Sequence, residues 1–139
     1  MPLRRQPPAF AIRVMHAALT FGLTLIAVVL ALLVSRQGPV LRPAPPGLAV
    51  GAAALAITLM VVAAMILRRR VPPRGPEQST DQFWDDMTVR TGAVAVWAVT
   101  EAGGMLAVMG SLLTGSPLPA LAVVFAIFSL VWQRPATFE

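Results

Sequence analysis

Glu101 and His16 are the two side chains whose type and surroundings could do chemistry. Glu101 is the one acid in an apolar stretch from Gly92 to Leu113. It stands about ten residues in, so a helix rising about 1.5 Å per residue puts it about 15 Å deep, near the middle of a hydrocarbon layer about 30 Å thick. A carboxyl there costs several kcal/mol unless it faces a partner, a cavity or a bundle interior, and the low dielectric favours its neutral form. Two roles follow. One is a proton or cation site. The other is a protonated acid, bonded to a backbone carbonyl or to Thr20, Thr24, Thr58 or Thr100, that holds helices in register. His16, the single histidine, offers either an axial ligand for haem or a chlorophyll-type pigment, or an interfacial hydrogen bond. Trp97, one turn before Glu101, is expected to pack inside the bundle.

Other chemistries are missing their parts. There is no cysteine, which excludes disulfides and thiolate-held zinc or iron–sulfur centres, and one imidazole cannot build a multi-histidine metal site. No Ser–His–Asp set, phosphate-cradling glycine loop or pair of intramembrane carboxylates is visible, so no enzyme is expected.

The elements that must position these residues follow from composition. Of the 139 residues, 57% are hydrophobic and 12% charged. Soluble domains are about 45–50% apolar and about 25% charged, so a soluble globular domain and a disordered chain are both excluded. Four apolar segments, about 14–34, 48–67, 92–113 and 117–132, read as membrane spans, the last near the lower length limit of about 17 residues. The fold expected is all-α: one membrane domain over 1–139, an integral membrane four-helix bundle of two antiparallel transmembrane hairpins.

All eleven basic residues are arginine. Arg4, Arg5, Arg13, Arg68, Arg69, Arg70, Arg74, Arg90 and Arg134 flank one side of these spans, and Arg36 and Arg42 the other. That asymmetry puts both termini, and the loop 68–91, in the cytoplasm. The net charge of +5 therefore reads as orientation rather than as a nucleic-acid footprint. Arginine without lysine, with abundant Ala, Pro and Gly, is a codon signature of a GC-rich bacterial genome, hence a bacterial inner membrane.

The connections differ in kind. Residues 37–46 form a proline-rich loop, and Ser116 with Pro117 should cap and start the last helix after a tight turn. Arg68 to Pro76 is expected to be non-helical because of its prolines. After it, Ser79 and Gln82 make a capping box. Phe83, Trp84 and Met87 are expected to lie along the headgroups, and Phe83 and Trp84, with Phe128 and Trp132, to form an aromatic belt. Small residues suggest close helix packing: Gly47 with Gly51, and Gly103 with Ala107, followed by Gly110. The stretch RVMHAALTFG also resembles AVAVWAVTEAG, aligning Thr20 with Glu101 and Gly22 with Gly103, a hint of duplication.

The segment AVWAVTEAGGMLAVMGSLL is similar to the outer helix of the ATP-synthase proteolipid (subunit c), and GLAVGAAALAITL to its small-residue inner helix. The resemblance covers the second and third spans and implies that Glu101 is an ion-carrying carboxylate. The whole chain also resembles uncharacterised small four-helix bacterial membrane proteins with an acid in the third span. The function expected is that of a non-catalytic accessory subunit of a larger membrane complex, respiratory or photosynthetic, whose partners are the lipid bilayer and other membrane subunits. Proton or cation translocation through Glu101 is the alternative, and haem or pigment binding through His16 a third.

Overall fold

The computed structural model describes residues 7–139, which are helical apart from turns and loops, with no strand among them. Helix α1 spans Pro8–Gln37 and α2 spans Leu48–Val62, the latter continued by a π-type turn at Ala63–Leu67 and a 3-10 turn at Arg68–Arg70. A short α3, Thr80–Asp85, precedes the long α4, Met87–Thr114, and α5, Pro117–Trp132; a last 3-10 turn covers Pro135–Thr137. Three of these stretches are long and apolar enough to cross a membrane: Pro8–Gln37, Leu48–Arg70 and Met87–Thr114, with mean hydropathies of 2.7, 2.6 and 1.5. Phe21, Leu121 and Val124 are among many large apolar side chains left exposed, a surface suited to lipid and not to water.

Helix α4 is the hub. It packs on α1, α2 and α5, whereas α1 and α2, consecutive in sequence, make at most marginal contact. The first two long helices are therefore not a closely packed hairpin. Their proline-rich connection turns instead over the end of α4, where the Val40 and Leu41 amides donate to the Leu112 and Leu113 carbonyls at 3.1 and 3.0 Å. Those carbonyls lie in the last turn of α4, which has no helical donors left for them. Gly115 ends α4 with φ +64°, a left-handed cap that favours glycine. Ser116 then accepts from the Leu118 amide, and Pro117 opens α5.

Neighbour contacts give the helix directions. Gly103 faces Ala56 and Met60, and Gly110 faces Ala52, so α2 and α4 are antiparallel. Gly104 meets Ala126, and Gly110 meets Pro119, so α4 and α5 are antiparallel too. His16 lies beside Trp97 and Leu23 beside Gly104, which makes α1 and α4 parallel neighbours. Their register matches the one that aligns Thr20 with Glu101 in the sequence.

Several expectations change. Arg68–Arg70 are helical, because the proline effect acts on the residue just before it: Val71, preceding Pro72, is the first extended position (φ −80°, ψ 117°). Phe83 and Trp84 are buried (1% and 0% exposed) and belong to the interior rather than to an aromatic belt, while Met87, 76% exposed, starts α4 on the outside. Phe128 and Trp132 are outward and stacked, with ring centroids 6.3 Å apart. Gly47 is a left-handed cap (φ +85°) ahead of α2, and Gly51 is exposed with open space beside it. Neither lies in close helix–helix contact: both border an open groove between the start of α2 and the end of α4, where an added Cβ would meet nothing within 4 Å.

Arg13, Arg68, Arg69, Arg70, Arg74, Arg90 and Arg134 all gather at one end of the bundle, and Arg36 and Arg42 at the other. Arg4 and Arg5 lie outside the described residues.

Candidate functional site

The arginine-rich end is closed by a polar and aromatic cluster. Helix α5 has 16 residues, about 24 Å at about 1.5 Å per residue, so it stops short of a full span. Its last carbonyls need donors that water would otherwise provide. His16 of α1 supplies one: its Nε2 donates to the Leu130 carbonyl at 2.9 Å. Trp97 of α4 supplies another, its Nε1 donating to the Gln133 carbonyl at 2.7 Å. The two rings meet edge to face with centroids 4.9 Å apart.

The Gln133 side chain folds into the same place. Its Oε1 accepts from the Thr100 hydroxyl at 3.2 Å, and its Nε2 donates to the Ser129 hydroxyl at 3.0 Å. Among the described residues no buried side-chain nitrogen or oxygen lacks a partner. Past Gln133 the chain turns back beneath the helices. Phe138 packs against Trp84 and Trp97, with the Arg68 guanidinium 5.3 Å from its ring centroid. Glu139 accepts from Trp84 Nε1 at 2.9 Å and pairs with Arg13 at 3.4 Å. Asp81 of α3 accepts from the Ala9 amide and so caps α1, which has no N-cap side chain of its own. The capping box of Ser79 and Gln82 starts α3.

Glu101 lies outside this cluster, one turn along α4 from Trp97. It is half-buried, between the buried stripe of Trp97, Gly104 and Val108 and the exposed Ala98 and Ala102. None of the four threonines bonds to it. Thr20, Thr24 and Thr58 donate to carbonyls of their own helices, and Thr100 to Val96 and Gln133. Among the described residues no ion pair includes Glu101. The carboxyl thus stands at the rim of the α1–α4 seam, at mid-helix and level with Thr20.

The small residues of α4 divide by face. A Cβ on Gly103 would sit 2.9 Å from the Ala56 carbonyl oxygen, and one on Gly110 would sit 2.6 Å from Ala52 Cβ. Ala107 is fully buried between them in sequence. Gly104, not singled out in the sequence, faces the other way, toward Leu23 and Ala126. The adjacent pair Gly103–Gly104 was the available signal, since neighbours on a helix point about 100° apart. Gln133 was also missed; its signal was an amide one turn after Ser129 at the end of an apolar run.

His16 bears on the haem or pigment reading directly, because ligation through Nε2 requires the bond to Leu130 to break. Replacing His16 by Ala should orphan that carbonyl and lower stability by about 1–3 kcal/mol, read from denaturant unfolding in detergent. His16→Gln, which keeps a donor, should recover part of it. No haem or pigment absorption band should be lost with either change.

Compared with protein families, with curated proteins and with solved structures, the chain finds no match.

Proposed function

We propose that this protein is a non-catalytic accessory subunit of a larger bacterial membrane complex, a respiratory or photosynthetic one. In this reading four helices cross the inner membrane as a bundle, the short α5 upright or in locally thinned bilayer, with both termini and the arginine-rich end in the cytoplasm. The arginine distribution supports that orientation. The observation that carries the subunit role is the position of Glu101: partly exposed at mid-helix, with no partner among the described residues. In a lone monomer that edge of the carboxyl meets hydrocarbon, an expensive placement that a polar group from a neighbouring chain relieves. Purification from the native membrane in mild detergent, followed by identification of co-purifying proteins, tests the proposal. Defined membrane partners are expected. A stable monomer that comes alone overturns it.

The same position of Glu101 favours a second reading, ion translocation. There Glu101→Gln abolishes proton or sodium flux in liposomes while the protein still folds. The subunit reading expects no flux from either form of the purified chain, so a dye-reported flux assay on both separates the two.

A further inference from the structure

The arginine-rich end carries a groove that the closing cluster leaves open. It is a shallow, open groove of about 490 Å³ between the Arg68–Arg70 turn and the first turns of α4, within the range of about 300–1,000 Å³ typical of small-ligand clefts. Leu67, Met87, Gly92 and Ala95 give it apolar walls, and Arg70, Thr88 and Thr91 are its polar lining. Along α4 the lining begins with Met87 and Thr88 at the helix start, and Gly92 and Ala95 run on toward the span beside Leu67.

The arginines around it are not equivalent. Arg68 donates to the Thr137 carbonyl and lies over Phe138, Arg74 donates to the Gln78 carbonyl, and Arg90 donates to the Asp85 carbonyl. Arg69 and Arg70 are exposed, and among the described residues neither pairs with a carboxylate, the one ion pair being Arg13–Glu139. Of those two, Arg70 lines the groove. Of the acids, Asp85 and Asp86 directly precede the α4 side of the groove, and Asp86 accepts from the Thr88 amide at the start of α4.

We propose that this groove binds an anionic phospholipid, its phosphate held by Arg70, Thr88 and Thr91 and an acyl chain lying along Leu67, Gly92 and Ala95. Charge complementarity selects this occupant. A guanidinium and two hydroxyls match a phosphodiester, and the apolar wall below them matches the chain attached to it. A zwitterionic lipid offers the same phosphate but brings a quaternary ammonium beside the exposed Arg69 and Arg70, and a soluble phosphate leaves the apolar wall uncovered. The inference rests on this end lying at a membrane surface and not on assembly with other subunits, so its failure leaves the co-purification result unaffected.

The test is native mass spectrometry of the full chain released from mixed micelles of phosphatidylglycerol and phosphatidylcholine. The wild type should retain phosphatidylglycerol preferentially. Arg70→Gln should reduce that preference by about tenfold or more, the scale of one lost charge-assisted hydrogen bond. Arg69→Gln removes the same charge outside the groove and should cost no more than about fivefold, the scale of one basic side chain at an anionic surface. The double variant Thr88→Val/Thr91→Val, at two exposed positions, should also weaken retention. Equal losses from Arg69→Gln and Arg70→Gln would point to diffuse surface charge and overturn the proposal. So would an unchanged preference in the double threonine variant, or displacement of the lipid by inorganic phosphate at equal concentration.

Discussion

Replacing Trp97 by Ala is expected to destabilise the protein by about 3–5 kcal/mol, the usual range for removing a buried aromatic. Trp97 is fully buried and touches the rings of His16, Trp84 and Phe138, so its loss leaves a cavity bordered by α1, α3 and the returning tail. It also leaves the Gln133 carbonyl without its 2.7 Å donor. The two losses are separable. Trp97→Phe keeps most of the ring volume and deletes the donor, so it should cost about 1–3 kcal/mol. Unfolding by sodium dodecyl sulfate in mixed micelles, followed by circular dichroism, measures both. If the two variants are equally stable, the cavity contributes nothing and the packing account of this cluster is wrong.

Gly103→Leu is the second large effect. A Cβ at this position would lie 2.9 Å from the Ala56 carbonyl oxygen and 3.3 Å from Met60 Cγ. The first of these is backbone of a packed helix and cannot swing aside, so α2 must move off α4. Overpacking of this kind costs about 1–3 kcal/mol, and more where the backbone must shift. The cost should fall on α2–α4 packing, leaving the α4–α5 contact at Gly104 in place. Gly51→Leu is the control. Gly51 has the same apparent role in sequence, yet nothing lies within 4 Å of its added Cβ, so the isolated protein should change by no more than about 0.5 kcal/mol. Comparable destabilisation by both substitutions would show that leucine bulk in an apolar helix, and not the α2–α4 approach, is responsible.

The contrast between Gly51 and Gly103 shows how far one dimension can be read. Both sit in a small-xxx-small pattern, and the pattern says that a smooth face exists without saying what lies against it. The direction of that face depends on which helices become neighbours. Here α4 takes three of them, and α1 and α2 hardly meet. A short connection in sequence predicts adjacency, but a ten-residue proline-rich loop that lies over the end of α4 does not impose it.

The aromatic residues teach the same lesson. Phe83 and Trp84, beside a span, read as interfacial, and Trp132 and Phe128 read identically. Only the second pair faces outward. The first is covered because α3 packs on α1 and α4, and because the chain after Gln133 folds back, bringing Phe138 and Glu139 against Trp84. No local periodicity encodes that return. Its demand can be traced afterwards: a helix ending early leaves carbonyls that must find donors, and His16 and Trp97 are the donors within reach.

What could be read before folding was whatever depends on a residue and its close neighbours in sequence. That includes the apolar lengths able to cross a bilayer, the Ser79–Gln82 and Ser116 caps, the asymmetric arginines and the expense of a carboxyl at mid-span. Each follows from hydration or from hydrogen bonds within a turn. Tertiary structure decided which glycines touch another helix, which aromatics are covered, what His16 bonds to, and that Glu101 finds no partner among the described residues. Those outcomes depend on the rotation of one helix against another, a quantity set jointly by side chains dozens of residues apart.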